Sequence, residues 1–210
     1  LKPGAKSTFF KAIIVLYISF IENESIIIMD HLEAIVELKN IVNTDFCKNI
    51  MALTDKKAIK NLTIGTGEVN KDIRNVKGYS LNLQTPTNLF YWNYIKTEIE
   101  RLYIHYKIKF PKMESNKINQ IDLLKYKPGG NYKIHTDHFS ITARALSIII
   151  NLNEDYKGGD LVFTDQKEKE IKRLKLNKRS IVFFPSNFMY PHSIEPITKG
   201  TRYSIVAWLQ

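Results

Sequence analysis

The chain has 210 residues, of which 44% are hydrophobic, and it contains a single cysteine. This length and composition suffice for one domain with a substantial core, and they exclude a disulfide-stabilised scaffold, because Cys47 has no partner within the chain. The formal net charge of +10 would attract nucleic acid, but the lysines are scattered from end to end, which favours a solvated basic surface over a dedicated nucleic-acid site.

The N-terminal segment differs from the rest of the chain. Residues 12–21 form an apolar run after three lysines, but a helix needs about 20 apolar residues to cross a bilayer, and no small-x-small cleavage site follows. We interpret residues 1–28 as an extension outside the domain and predict a single domain over 29–210. We expect no stable membrane association and, from the single cysteine, a cytoplasmic location, with a signal or anchor function of residues 12–21 as the alternative.

Helical patterns dominate the first half of this domain, so we predict helical support over 29–110. Apolar residues at 32, 35, 36 and 38 predict a helix that begins at Asp30. Asn43 opens a typical N-cap cluster before a second helix, on which Cys47 is predicted to be a small buried residue. A short strand is predicted at 79–83, and residues 90–108 predict an amphipathic helix that packs beneath a sheet.

The rest of the chain consists mainly of short strands separated by turns. Strands are predicted at 123–126, 132–137, 145–152, 160–164, 170–176, 178–184 and 202–208. The glycine pairs at 129–130 and 158–159 indicate tight turns. Many short strands joined by turns are typical of a sandwich or barrel.

A candidate metal site lies at the end of the second of these strands. Residues two apart on a strand point to the same face, so His135 and Asp137 can approach one ion, with His192 as a distant third ligand. Two imidazoles and one carboxylate are the ligand set of non-haem Fe(II) oxygenases, and they leave coordination positions open. Alone, a His-x-Asp pair is a weak signal. These two residue types often lie two apart by chance, and a single histidine is more often an ordinary hydrogen-bonded residue than a metal ligand.

The last predicted strand carries polar residues on an otherwise apolar face. Arg202, Ser204, Val206 and Trp208 alternate and therefore share that face. A buried guanidinium without a partner is costly, so this face requires an anion. A carboxylate held in the two-pronged grip of an arginine would satisfy it.

Together, residues 126–137, 158–160 and 184–185, His192 and the strand at 202–208 resemble the Fe(II)- and 2-oxoglutarate-dependent dioxygenases, specifically the prolyl 4-hydroxylase-like branch. The resemblance implies a mainly β fold with supporting helices, a double-stranded β-helix or distorted jelly roll, with its core over 121–210. It further implies Fe(II) as the metal, 2-oxoglutarate and O2 as cosubstrates, ascorbate as a reductant, and hydroxylation of a C–H bond with succinate and CO2 as coproducts.

The same resemblance implies a role for each matching position. The catalytic set is His135, Asp137 and His192 as iron ligands, with Arg202 binding the distal carboxylate of 2-oxoglutarate. Further contacts to the cosubstrate are expected from Tyr126, Ser204 and Asn151, and contacts to the substrate from Tyr132, Arg144 and Trp208.

Two positions limit the assignment within the superfamily. Arg202 stands where collagen-type prolyl 4-hydroxylases have lysine, which leaves the subfamily open. Trp208 stands where base-repair demethylases carry a second arginine, which disfavours a nucleobase substrate. We therefore expect a peptidyl proline of a peptide or protein as substrate, while nucleic acid and small metabolites remain alternatives. A cupin-like non-redox metal enzyme or a silent binding module is a weaker alternative, and no oligomeric state is indicated.

Overall fold

Two antiparallel sheets that face each other form the centre of the fold. The computed structural model describes residues 31–65, 67–115, 117–138 and 143–210. The predicted extension 1–28, with its apolar run, lies outside these residues. The two-sheet architecture confirms the predicted jelly roll with supporting helices.

The strands follow one another in chain order as β1 (Val36–Leu38), β2 (Lys60–Asn61), β3 (Arg74–Asn75), β4 (Lys77–Ser80), β5 (Ile118–Tyr126), β6 (Asn131–His135), β7 (Leu146–Asn151), β8 (Lys157–Gly158), β9 (Leu161–Thr164), β10 (Glu170–Leu174), β11 (Ser180–Pro185), β12 (His192–Ile194), β13 (Ile197–Lys199) and β14 (Arg202–Leu209). The major sheet has the order β1-β11-β7-β14-β5-β4-β2, and the minor sheet has the order β10-β9-β12-β6-β3. Strands β8 and β13 pair separately. Each predicted strand overlaps an observed one, with ends shifted by a few residues.

Side-chain alternation along the major sheet creates two separate cores. Leu123 of β5 and Ile205 of β14 point to the side where the helices pack. Leu124 and Tyr126 of β5 point into the space between the sheets, where they meet Phe163 of β9. Because successive residues of a strand face opposite sides, the polar side chains that alternate with Ile205 also enter the space between the sheets.

Two helices, α1 (Thr44–Lys56) and α2 (Pro86–Lys109), cover the outer face of the major sheet. Asn43 caps α1 as predicted, since its Oδ1 accepts hydrogen bonds from the backbone N–H groups of Asp45 (2.7 Å) and Phe46 (3.1 Å). Helix α2 begins earlier than predicted, because Thr85 caps it and Pro86 suits its first turn. Neither helix is at once long and apolar enough to span a membrane, a finding limited to the described ranges.

The helix predicted to begin at Asp30 is wrong. The described part of this segment is a short 3₁₀ helix (His31–Ala34) followed by β1, which pairs with β11 at the edge of the major sheet. Val36 lies opposite Phe183, and Leu38 lies opposite Ile181. The apolar spacing fits a helix equally well, but an open sheet edge offers backbone hydrogen bonds that local sequence cannot reveal.

The turn before β6 fixes where the metal-site strand begins. Gly129 has a positive φ of 81°, and the N–H of Gly130 donates to the carbonyl of Lys127 at 2.7 Å, as a tight turn requires. A Cβ on Gly130 would lie 2.8 Å from that same carbonyl oxygen. The predicted turn is therefore confirmed, and glycine is needed at both positions.

Candidate active site

The candidate metal ligands come together where β6 and β12 pair. His135 and His192 lie directly opposite each other in the register of these strands. Asp137 follows just after β6 rather than on it, so the predicted strand 132–137 ends sooner than expected. Its Oδ1 lies 3.5 Å from Nε2 of His135, and its Oδ2 lies 3.6 Å from Nε2 of His192. One ligand atom of each residue lies within 4.8 Å of the others, so a single ion can bind all three.

Backbone carbonyls orient both imidazoles. Nδ1 of His135 lies 2.8 Å from the carbonyl oxygen of Lys133, and Nδ1 of His192 lies 3.1 Å from that of Tyr190. When Nδ1–H donates to these carbonyls, the lone pair of each Nε2 faces the carboxylate of Asp137. This is the arrangement by which proteins commonly orient metal-ligating histidines.

The charge states of the cluster suit a divalent cation. Burial lowers the pKa of His192 to about 4, so the ring is neutral near pH 7. Burial alone raises the pKa of Asp137, but His192, His135 and a hydrogen bond of 2.7 Å from Ser147 Oγ outweigh it and hold the pKa below its usual range. Neutral imidazoles and an ionised carboxylate are the forms that bind metal, and this donor set fits Fe(II).

A second polar group lies deeper in the same cavity. Arg202, only 1% exposed, is the direct cross-strand partner of Tyr126, and its guanidinium carbon lies 5.2 Å from the centre of that ring. Its Nε donates to Asn151 Oδ1 at 3.1 Å, whereas Nη2 and the hydroxyl of Ser204 are buried without a hydrogen-bond partner in the described structure. Unmet buried donors are costly, so this end of the cavity fits a bound carboxylate.

The two groups share one cavity. The residues that line it include the three candidate ligands, Tyr126 and Tyr132, and the four residues of β14 that were predicted to share a face: Arg202, Ser204, Val206 and Trp208. The candidate metal ligands and the Arg202 guanidinium therefore line the same cavity.

Comparison with known proteins shows what the C-terminal part of the chain resembles. The model of the 2OG-Fe(II) oxygenase superfamily matches residues 121–210, which contain every candidate ligand. Over these residues the chain is similar to this superfamily. A PKHD-type hydroxylase of Idiomarina loihiensis is 24% identical over 181 residues, which cover 84% of this chain and 77% of that protein. A PKHD-type hydroxylase of Gloeothece citriformis is 31% identical over 100 residues, but the match covers only 45% of this chain and 44% of that protein.

Solved structures support the fold. A prolyl 4-hydroxylase of Pseudomonas putida superposes with a TM-score of 0.69 at 18% identity, covering 86% of this chain and 96% of that one. A prolyl hydroxylase of Trichoplax adhaerens, in complex with a peptide fragment of a hypoxia-inducible factor, superposes with a TM-score of 0.71 at 16% identity, covering 86% of both chains. Members of the superfamily use Fe(II), 2-oxoglutarate and O2; the histidine and aspartate cluster matches the metal, and the unpartnered donors of Arg202 and Ser204 match a carboxylate.

Of the predicted substrate residues, Tyr132 and Trp208 line the metal cavity, and Arg144 lines an adjoining cavity together with both of them. The ring centre of Tyr132 lies 3.5 Å from that of His135. The guanidinium of Arg144 lies 3.7 Å from the centre of the Trp208 ring and donates to the carbonyl of Asp137 at 3.3 Å. The indole Nε1 of Trp208 is buried without a partner in the described structure. All three side chains therefore lie where a molecule approaching the metal would meet them.

Asn151, predicted to contact the cosubstrate, binds other groups of the protein in this structure. Its Nδ2 donates to the carbonyls of Asn153 (2.7 Å) and Leu176 (3.1 Å), while its Oδ1 accepts from Arg202 and from Tyr156. Since both polar atoms are engaged and Asn151 does not line the cavity, the geometry favours orientation of Arg202 over direct contact with the cosubstrate.

Sequence reasoning missed several polar residues beside the site. Ser147 binds Asp137, and Gln120 accepts a hydrogen bond from Arg144 at 3.0 Å while donating to Asp122. Gln120 and Asp122 lie four and two residues before the cavity residue Leu124 on β5 and so share its face, which means that the period of that strand could have revealed them. Arg74 lies on a strand of only two residues, where the sequence contains no comparable signal.

Proposed function

We propose that this protein hydroxylates a peptidyl proline, using Fe(II), 2-oxoglutarate and O2, with ascorbate keeping the iron reduced. The observation that carries the proposal is a single cavity with two features: a histidine, aspartate, histidine cluster and, beyond it, the unpartnered donors of Arg202 and Ser204. The PKHD-type hydroxylases among its relatives, and the prolyl hydroxylases that share its fold, support the substrate class.

Each end of the cavity has a separate task in this reaction. When bound, Fe(II) together with 2-oxoglutarate and O2 supplies the oxidising power that converts a C–H bond to C–OH, with release of succinate and CO2. His135, Asp137 and His192 would hold the metal, and three protein ligands would leave further coordination positions free for the cosubstrate and O2. Arg202 and Ser204 hold the distal carboxylate and so fix the orientation of the cosubstrate.

The mouth of the cavity suits a proline within a peptide. Tyr132 and Trp208 offer aromatic faces to an apolar ring, and the unpartnered Nε1–H of Trp208 can donate to a peptide carbonyl. The guanidinium of Arg144 packs on Trp208 and holds that ring in place. Chemical recognition is therefore shared between apolar contact and a small number of hydrogen bonds, as in most small-ligand sites.

The test is succinate formation from 2-oxoglutarate by protein reconstituted anaerobically with Fe(II) and then supplied with O2 and ascorbate. Proline-containing peptides should increase the turnover and should gain the mass of one oxygen atom on proline. His135→Ala should abolish turnover, whereas His105→Ala, a matched substitution on an exposed face of α2, should retain it. Absence of any succinate from the wild-type protein, or full turnover by His135→Ala, would refute the proposal.

A further inference from the structure

A second cavity of about 210 Å³ adjoins the metal cavity. The two cavities share four lining residues, Arg74, Tyr132, Asp137 and Trp208, so a substrate that reaches the metal also occupies or borders the second cavity. This outer cavity is where residues that flank the hydroxylated group must lie. Its polar groups are therefore candidates for substrate specificity.

Arg74 is held in place at the border of the two cavities. Strand β3 pairs with β6 so that Arg74 lies opposite Tyr132. The guanidinium carbon lies 4.7 Å from the centre of the Tyr132 ring, which in turn stacks on the iron-ligand candidate His135. Nη1 donates to the carbonyl of Thr63 at 2.7 Å. The Arg74 guanidinium therefore packs on Tyr132, which packs on the candidate metal ligand His135.

Within the described part of the chain, Nε of this guanidinium has no hydrogen-bond partner. Nε of Arg74 is buried and makes no hydrogen bond, and Arg74 forms no ion pair with any carboxylate of the described ranges. A buried N–H without an acceptor is unfavourable, and the Nε edge of arginine matches a carboxylate in a two-pronged grip. The geometry therefore calls for an acidic ligand at this position.

The carboxylates that the protein itself supplies to the outer cavity are engaged elsewhere. Asp137 faces the two histidines of the metal site. Asp122 accepts hydrogen bonds from Ser80 Oγ at 2.7 Å and from Gln120 Nε2 at 3.0 Å. Within the described ranges no other carboxylate lines this cavity, so an acidic group that binds Arg74 would come from a molecule that enters it.

We infer that Arg74 binds a carboxylate side chain of the substrate, and that the substrate is an acidic peptide with Asp or Glu within one or two residues of the hydroxylated proline. This inference rests on the proposed function. Neighbouring residues of an extended peptide are about 3.5 Å apart, so a residue adjacent to a proline in the metal cavity reaches the outer cavity. The net charge of +10 favours encounter with such peptides.

The experiment uses three sets of randomised peptides, each with one central proline, in which the flanking positions are fixed as Asp, Asn or Lys. Peptide-stimulated succinate formation and hydroxylated product are measured for each set with the full chain. The Asp set should have a kcat/KM about ten- to a hundredfold above that of the Asn set, the range expected for a charged hydrogen bond. Added salt should reduce this difference.

Three variants separate the role of Arg74 from general effects of charge. Arg74→Gln should bring kcat/KM for the Asp set down to that for the Asn set. Arg74→Glu should reverse the preference, so that the Lys set becomes better than the Asp set, a result that misfolding cannot produce. Lys107→Gln removes one positive charge from an exposed position on α2 and should keep the preference of the wild type.

The outcomes distinguish this inference from the proposed function. Equal stimulation by the Asp and Asn sets would overturn the inference and leave prolyl hydroxylation intact. Turnover of 2-oxoglutarate without stimulation by any peptide set would overturn both the peptide substrate and the inference. Arg74→Gln could instead raise the KM for 2-oxoglutarate, relative to Lys107→Gln, and leave the peptide preference unchanged. This result would assign Arg74 to cosubstrate binding and would also overturn the inference.

Discussion

Replacement of Arg202 by methionine should separate ligand binding from stability. The guanidinium is almost fully buried, one of its nitrogens has no partner in the described structure, and methionine fills similar space without a charge. Because desolvation of a buried charge often exceeds its electrostatic gain, Arg202→Met without ligand should melt at the wild-type temperature or above it. The same substitution should nearly abolish the binding of 2-oxoglutarate.

The expected size of the effect follows from the contacts. At a 2-oxoglutarate concentration of about 100 times Kd, binding stabilises the wild type by about 2.7 kcal/mol. For a protein of this size that corresponds to a Tm increase of roughly 5–10 °C. Loss of charged hydrogen bonds to the distal carboxylate, about 1.5–3 kcal/mol each, raises Kd about a hundredfold or more. At most about 0.4 kcal/mol of stabilisation then remains, or roughly 1 °C.

The assay is thermal unfolding with and without 2-oxoglutarate, with Mn(II) in place of Fe(II) so that no turnover occurs. Arg179→Met is the matched control, because Arg179 donates to the backbone carbonyls of Val42 and Asn40, outside the cavity. This control should lower the Tm of the free protein and keep the full increase on ligand binding. An Arg202→Met protein that still gains the wild-type increase in Tm would refute the carboxylate site.

Three further outcomes are expected. Ser147→Ala removes the hydrogen bond to Asp137 Oδ2 and should weaken metal binding about 10- to 100-fold in a Mn(II) titration, so an unchanged affinity would contradict its supporting role. Cys47 is buried in α1 and burial raises its pKa to about 11, so at pH 8 its thiol is protonated; it should resist a thiol reagent until the protein unfolds, and rapid labelling of the folded protein would contradict this. Ile150→Ala opens a cavity in the core beneath the helices and should lower the free energy of unfolding in urea by about 2–5 kcal/mol, a prediction that a loss below about 1 kcal/mol would refute.

Local sequence determined several elements directly. The cap at Asn43 and the turn at Gly129 depend on short-range hydrogen bonds and backbone conformation, which neighbouring residues decide. The face shared by Arg202, Ser204 and Trp208 follows from the two-residue period of a strand and is what the structure shows. The segment that became β1 was misassigned, because its pairing with β11 depends on a partner far away in the chain.

The position of Tyr132 shows where periodicity alone is insufficient. In a regular strand Tyr132 and His135 would face opposite sides, yet both line the metal cavity. The pairing of β6 with β12 shifts register between His135 and Tyr132, an irregularity that turns one side chain to the other face. A β-bulge in β6, which the sequence did not reveal, therefore directs the side chain of Tyr132 into the cavity.

The sequence by itself determined the ligand types, the spacing of His135 and Asp137, and the need for an anion beside Arg202, because residue chemistry and strand period are local properties. Only the tertiary structure decided that His192 lies opposite His135. It also placed Arg74 over Tyr132 at the mouth of the cavity. Such positions depend on the register between strands distant in the chain, which is set by packing of the whole sheet rather than by any short segment.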